Sequence, residues 1–277
     1  MSLPQAPPSY KQKYGNIKVS LIIATYNWKE ALQLGLKTAV KQTRMLHEIV
    51  VADDGSRADT AEVIREMRRQ SPIPILHAWQ PNEGFRAAKS RNNAIAASSG
   101  DYLIFLDGDC FVNEYFVEDH LSVANERQYI VGTRVNITLR RQRYIFATEN
   151  THISFFSWGT RKKLNAVRSP FLARLCRSTG GMASANFSVW REDIYRVNGF
   201  NELFIGNGGE DGELADRLDH AGVSRKKMRY LGMAYHLDHP LHSRRDNEAT
   251  KELINETKRN KATWCEKGLD GHHKDRF

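Results

Sequence analysis

The sequence predicts an α/β fold with a mostly parallel central sheet flanked by helices. Three observations predict it. Between residues 17 and 131, short apolar runs alternate with amphipathic stretches at the spacing of strand–helix–strand units. The runs are apolar almost throughout, as strands covered on both faces must be. The strongest of them, Tyr102-Leu103-Ile104-Phe105-Leu106, ends directly in Asp107-Gly108-Asp109. Carboxylates at the carboxyl end of such a strand open into the crevice where open α/β sheets bind ligands.

Taken in order, residues 19–24 read as a buried strand. Residues 29–42 form an amphipathic helix with Leu32, Leu36 and Val40 on one stripe. A strand over 48–52 and a helix over 58–70 follow, the helix presenting Val63, Ile64 and Met67 on one face. A third strand covers 73–79 and closes at Pro81-Asn82-Glu83-Gly84. An alanine-rich helix spans 85–98, with Gly100 read as the glycine just past its end. The fourth strand, 102–106, carries the acidic triplet.

After Gly132 the pattern changes. Residues 134–177 are basic and interleaved with Tyr144, Phe146, Phe155, Phe156, Trp158 and Phe171, and read as an irregular or helical insertion. A compact pattern resumes over 180–200. Gly206-Asn207-Gly208-Gly209 then leads into a short helix over 210–221, with Leu214 and Leu218 one turn apart. Residues 230–235 read as a strand ending at His236, and 247–261 as a solvated helix in a charged C-terminal extension. The chain thus divides into a loose arm (1–16), a domain (17–240, in halves 17–132 and 133–240) and the extension (241–277).

The net charge of +9 is concentrated, because ten Lys and Arg stand between Arg134 and Arg177 against the single acid Glu149. Such a patch suits an anionic lipid surface, an acidic acceptor or nucleic acid. Two readings of it stand side by side. Phe155, Phe156 and Trp158 are apolar anchors of a binding surface, or they are core residues of a solubilising insertion. Cys110, Cys176 and Cys265 are odd in number and widely spaced, which argues against a disulfide framework and for a reducing compartment. No apolar stretch approaches the ~20 residues needed to span a bilayer, and the N-terminus lacks a hydrophobic signal region. The expected location is cytoplasmic, peripheral at the inner membrane face if the basic patch binds lipid.

Several residues bear on chemistry. Asp107 and Asp109 can approach one hard divalent cation together, or form an ordinary Asp-Gly turn. Thr25 and Asn27 lie past the first strand and Asp54 past the second, so all three edge one crevice. Asp53-Asp54-Gly55-Ser56 is equally a turn and helix cap. Arg86, Lys89 and Arg91 lie on one helix and suit phosphate oxygens, or are its solvated face. Glu210-Asp211 opens a helix behind glycines, where acids are also favoured by the dipole.

The combination of Ser20-Leu21-Ile22-Ile23-Ala24-Thr25-Tyr26-Asn27, Val51-Ala52-Asp53-Asp54-Gly55-Ser56, Arg86 to Asn92 and Leu106-Asp107-Gly108-Asp109 resembles family 2 glycosyltransferases of the GT-A fold. Gly180-Gly181, Asn186-Phe187-Ser188, Gly199-Phe200, Gly208-Gly209-Glu210-Asp211 and Ala234-Tyr235-His236 resemble the C-terminal half of chondroitin-polymerase-type and galactosyltransferase-type enzymes. The resemblance implies a UDP-sugar donor held by Thr25, Asn27, Asp54, Arg91 and Asp107, with Asp54 accepting the uracil N3–H. It implies Asp109 and His236 as ligands of Mn²⁺ (or Mg²⁺), with His239 and His242 as near competitors of His236. It implies Asp211 as the general base, Glu210 orienting the acceptor, and inversion at the anomeric carbon. The acceptor is then a glycan, lipopolysaccharide, capsule or other lipid-linked hydroxyl.

Two alternatives remain open. A nucleotidyltransferase acting on sugar phosphates lacks a glycine-rich phosphate loop after the first strand and leaves Glu210-Asp211 without a role. A nucleic-acid-binding protein would use the basic aromatic segment, yet no recognised module accompanies it, and nucleic acid is not expected as a partner.

Overall fold

The computed structural model describes residues 16–175, 185–206, 208–239 and 248–272. The N-terminal arm, Gly180-Gly181, Cys176, Asn207 and His242 lie outside those residues. The expected strand–helix alternation is present: β1 (Val19–Thr25), α1 (Lys29–Ala39), β2 (Glu48–Asp53), α2 (Ala58–Gln70), β3 (Ile75–Trp79), α3 (Ala87–Ala97) and β4 (Tyr102–Asp107). The chain continues through β5 (Cys110–Val112), α4 (Phe116–Val123), β6 (Gln128–Val131), β7 (Arg134–Ile137), α5 (Leu139–Thr148), β8 (Thr160–Arg161) and α6 (Pro170–Leu175). Then come β9 (Asn186–Trp190), α7 (Arg191–Arg196), α8 (Glu210–His220), β10 (Ser224–Lys227), β11 (Ala234–His236) and α9 (Glu248–Arg259).

The main sheet has seven strands in the order β10-β6-β9-β4-β1-β2-β3. All its pairings are parallel except those of β9, which runs antiparallel to both β4 and β6. Alternate residues of each strand feed opposite layers. Leu21, Ile23 and Ile104 pack with Leu32 and Leu36 of α1, Ile64 of α2 and Leu121 of α4. Ile22, Leu103 and Phe105 face Ile95 of α3, Ile194 of α7 and Leu214 and Leu218 of α8. Each such side chain, removed from water, contributes ~1.5–3 kcal/mol. The two-sided burial is why these strands read as continuous apolar runs.

The register sets the functional edge. Ala24 of β1 pairs with Asp107 of β4, and Thr25 with Asp53 of β2. The carboxyl ends of three parallel strands therefore finish level with one another.

The structure corrects the reading of residues 134–177 at its start. Arg134–Ile137 is β7, a strand of a second sheet ordered β5-β11-β7-β8. Val135, Ile137 and Ile145 of α5 fill a third core with Phe111 and Tyr235. A four-residue strand among many arginines leaves little periodicity to read, and pairing with β11 determines it. The strand expected over 230–235 shrinks to Ala234–His236, because residues 230–232 form a bend with Tyr230 and Gly232 at positive φ.

Gly100 does not cap α3 in the left-handed conformation. The cap is Ser98 in extended geometry, and a Cβ on Gly100 would lie 2.7 Å from the Ser20 backbone nitrogen. The glycine serves a close approach to β1 instead.

The helix expected to be solvated, α9, is exposed along much of its length but packs one face on α8. Thr257 is buried and donates to Glu213 at 3.1 Å. Glu213 in turn holds the wholly buried Arg217 through two 2.8 Å hydrogen bonds. Beyond α9, Leu269 enters the second core. Cys110 and Cys265 are both buried free thiols.

Candidate active site

The turn joining β4 to β5 is Gly108-Asp109, and it crosses from the main sheet to the second. Gly108 donates its N–H to Ala24 O at 2.6 Å, and a Cβ there would lie 2.6 Å from that same oxygen. No side chain fits, so the turn lies directly on the end of β1. This places Asp107 and Asp109 at the edge where Thr25 and Asp54 also finish.

Asp109 accepts its neighbours from β11 and the residues after it. The antiparallel pairing of β11 on β5 sets His236 opposite Cys110, and Leu237 donates to Asp109 O at 2.9 Å. Asp109 Oδ2 lies 3.4 Å from His236 Nε2 and 3.1 Å from His239 Nε2. Burial pushes the Asp109 carboxyl up, but the two imidazoles outweigh it and hold the group below the usual carboxylate range. One ligand atom from each of Asp109, His236 and His239 lies within 4.8 Å of the others. His236 and His239 are therefore partners in one cluster rather than competitors. The edge of Trp28 meets His239 at 6.0 Å between ring centroids, a contact that sequence spacing does not reveal.

A second acidic group lies across a buried cation. Gly209, at φ +101°, caps α8 and lies against Thr250 and Ile254 of α9. A non-glycine residue at that φ is strained. Glu210 and Asp211 form the first turn of α8. Arg91, only 6% exposed, reaches Asp107 Oδ1 at 3.1 Å, Glu210 Oε1 at 3.2 Å and Asp211 Oδ1 at 4.0 Å. Burial opposes its charge, and Asp211, Asp107 and Glu210 more than compensate, so its pKa is raised. Burial and the charge of Asp211 push Glu210 up to about 7 despite Arg91. Burial also raises Asp107, with Asp109 and Asp211 adding to the effect.

The nucleotide-side residues are placed as follows. Asp54 is buried, accepting from Gln80 Nε2 at 2.6 Å and from the Arg86 N–H at 2.8 Å; burial raises its pKa. Asp53 faces the other way, accepting from the Ser56 N–H and contacting His77 Nε2, each at 2.8 Å. Asp53 is thus the turn residue of the pair, and the N-cap of α2 is Arg57 with no side-chain capping bond. Asn27, at φ +50°, accepts from the Arg57 N–H through Oδ1 at 2.9 Å. Thr25 is nearly buried, its side chain beside Gly108. Lys89 lies 3.9 Å from Glu83 on a half-exposed face. Gln80, which holds Asp54, was not foreseen; its only sequence signal is a polar amide following the apolar β3.

The profile of glycosyl transferase family 2 matches residues 20–189, from β1 to β9. The chain belongs to this family. A second profile, the N-terminal domain of galactosyltransferase, matches residues 176–240 of this family 2 chain and takes in Glu210, Asp211, His236 and His239. Chondroitin synthase of Escherichia coli is 24% identical over 80% of this chain and 35% of its own length. Hyaluronan synthase of Pasteurella multocida is 26% identical over 94% of the chain and 28% of its own length. The chain thus spans about a third of the length of these curated relatives.

Among solved structures, GalNAc-T7 with UDP, GalNAc and Mn²⁺ shares the fold at a TM-score of 0.62 and 16% identity, covering 86% of this chain and 47% of its own. A mannosyltransferase from Pyrobaculum calidifontis in complex with GDP-Man and Mn²⁺ does so at 0.55 and 14%, covering 87% of this chain and 69% of its own. Both likenesses support the GT-A-type mixed α/β architecture.

Proposed function

We propose that this chain is a metal-dependent inverting glycosyltransferase that moves a sugar from a UDP-sugar to an acceptor hydroxyl on a glycan, lipopolysaccharide or capsule precursor. Residues 17–240 form the transferring unit on this reading, and residues 241–277 extend it. The observation that carries the proposal is the Asp109–His236–His239 cluster beside a pair of acids tied to it through Asp107 and Arg91.

One carboxylate and two imidazoles suit Mn²⁺ better than the all-oxygen preference of Mg²⁺ or Ca²⁺. Such an ion, held by Asp109, His236 and His239, would supply Lewis-acid stabilisation to a departing diphosphate. Asp54 has carboxylate lone pairs beyond those used by Gln80 and Arg86, so it can still accept a base N–H. A carboxylate can take the N–H of uracil or of guanine, and we assign uracil because the family resemblance implies it at this position. Thr25 and Asn27 flank the nucleoside end, and Asp107 the ribose. Arg91 fixes Asp107 against Glu210 and adds positive potential toward the phosphates.

Asp211 takes the proton from the acceptor hydroxyl, and Glu210 orients that acceptor. A single displacement with a base on the acceptor side inverts the anomeric carbon. The relatives are named for chondroitin and hyaluronan synthesis, which favours a glycan acceptor. The test is a panel of UDP-sugars and GDP-sugars incubated with Mn²⁺ and no acceptor. Slow hydrolysis of one UDP-sugar, lost on chelation, is expected. No hydrolysis of any donor, with no metal-dependent stabilisation by UDP, would overturn the reading.

A further inference from the structure

Nine of the sixteen large apolar side chains exposed among the described residues fall between 139 and 175. The inner residues of the same stretch, Ile145, Ile153 and Ala166, fill the third core. The outer ones, Phe155, Phe156 and Trp158, therefore have no core left to enter. Phe156 is 88% exposed. Of the two readings of this segment, the one with its aromatics in the core fails.

These side chains form a built surface. Tyr144 meets Trp158 edge-on at 5.6 Å, and Phe155 meets Phe156 at 5.3 Å. The Arg140 guanidinium lies 5.7 Å from the Trp158 ring centre. Arg141 underpins both α5 and the aromatic loop, donating to His152 O at 3.1 Å while its guanidinium faces Tyr144 and Trp158. Arg140, Arg143, Arg161, Lys162 and Lys163 are all exposed. None of these five makes an ion pair among the described residues, whereas half-buried Lys29 and Lys37 and exposed Arg69 elsewhere do.

From this juxtaposition we infer that the α5 face and the loop after it rest on an anionic lipid bilayer. A single-stranded nucleic acid would meet the cations and stack on the rings, yet no recognised nucleic-acid module accompanies this segment. A headgroup layer takes up both, since charge draws the surface in and the aromatic rings enter the interface. Among the described residues no helix is long and apolar enough to cross a membrane, so the contact is peripheral. The face adjoins the candidate site directly. Leu139 donates its N–H to Asp238 Oδ2 at 3.1 Å, and Gln142 accepts from the Asp238 N–H at 2.6 Å. The residue between them and His239 is thus held by the lipid-facing helix. The inference goes beyond sugar transfer and does not depend on it.

Co-sedimentation with phosphatidylcholine vesicles, with and without phosphatidylglycerol at equal total lipid, tests the inference. Wild-type protein should pellet with the anionic vesicles only and should be released by high salt. Replacing Arg161, Lys162 and Lys163 by Ser should weaken partitioning roughly fivefold for each charge, the equivalent of ~1 kcal/mol per basic residue. Phe156→Ser should weaken it several-fold while leaving the melting temperature and acceptor-free donor hydrolysis unchanged. Equal recovery with neutral and anionic vesicles would overturn the inference. So would wild-type partitioning by Phe156→Ser, or tight, Phe156-dependent binding to a single-stranded oligonucleotide without vesicle binding. Loss of donor hydrolysis in the wild type would bear on the transferase reading and not on this one.

Discussion

Arg91 Nη1 and Glu210 Oε1 stand 3.2 Å apart although 119 residues separate them in the chain. The same guanidinium holds Asp107 at 3.1 Å, so one buried cation ties the turn after β4 to the first turn of α8. Removing it strands the buried Glu210 and the half-buried Asp107. Arg91→Met is expected to destabilise the fold by ~3–5 kcal/mol, the usual penalty for breaking a buried pair. Arg91→Lys keeps the charge but loses the planar fork that reaches both acids, and should fall between. Urea midpoints measure both, and a wild-type midpoint for Arg91→Met would remove Arg91 as the tie.

Glu210 contributes a pH dependence to stability, as do the other acids whose pKa burial raises. An acid whose pKa is raised by folding stabilises the native state only while protonated. That contribution is fully present below the ordinary glutamate range and is lost as pH rises through about 7. Stability should therefore decline between about pH 4.5 and 7, and the decline should flatten in Glu210→Gln. Thermal melts across that range decide it. An identical slope in both proteins would show that another group is responsible.

On the proposed reading, the Asp109, His236 and His239 group demands both histidines for the ion. Asp109→Ala should abolish the Mn²⁺-dependent rise in melting temperature with UDP, and His236→Ala and His239→Ala should each reduce it. Asp109 Oδ2 is closer to His239 than to His236. A His239→Ala protein with the full metal-dependent shift would return the site to two ligands.

Asp211→Asn preserves size but cannot accept a proton. Donor affinity should persist while transfer falls by ~10²–10⁴-fold, the range of a general base. Transfer near the wild-type rate would leave Asp211 a helix-terminus acid and nothing more.

Gly108→Ala forces a methyl group to within 2.6 Å of Ala24 O. The expected loss is ~1–3 kcal/mol, as for other overpacked sites, together with weaker Mn²⁺-dependent UDP binding because Asp109 moves with the turn. Calorimetry and the UDP thermal shift check the two effects separately.

Composition and pattern determined the parallel half of the molecule. β1, β2 and β4 are apolar runs too short for helices, and their two-sided burial leaves no other reading. Their order in the chain then brings Thr25, Asp54, Asp107 and Asp109 to one edge. Pattern could not place β9, because an antiparallel strand between β4 and β6 differs from its parallel neighbours only in partner direction. Nor could it find β10, whose Ser-Arg-Lys-Lys carries no apolar signal and becomes a strand only by pairing with β6.

The tertiary structure also decided between neighbours. Asp53 and Asp54 are chemically identical and adjacent, but Asp53 is the last residue of β2 and Asp54 the first of the turn after it, so their carboxylates meet different partners. One therefore meets His77 and the other Gln80 and Arg86. Lys89 and Arg91 share α3, with Arg86 at its N-cap, and of the three only the Arg91 side chain reaches Asp107, Glu210 and Asp211. His236 and His239 converge because β11 pairs with β5 beside Asp109. Side-chain types and local periods are properties of the chain itself. Which carboxylate, which arginine and which face meet depends on packing between segments distant in sequence.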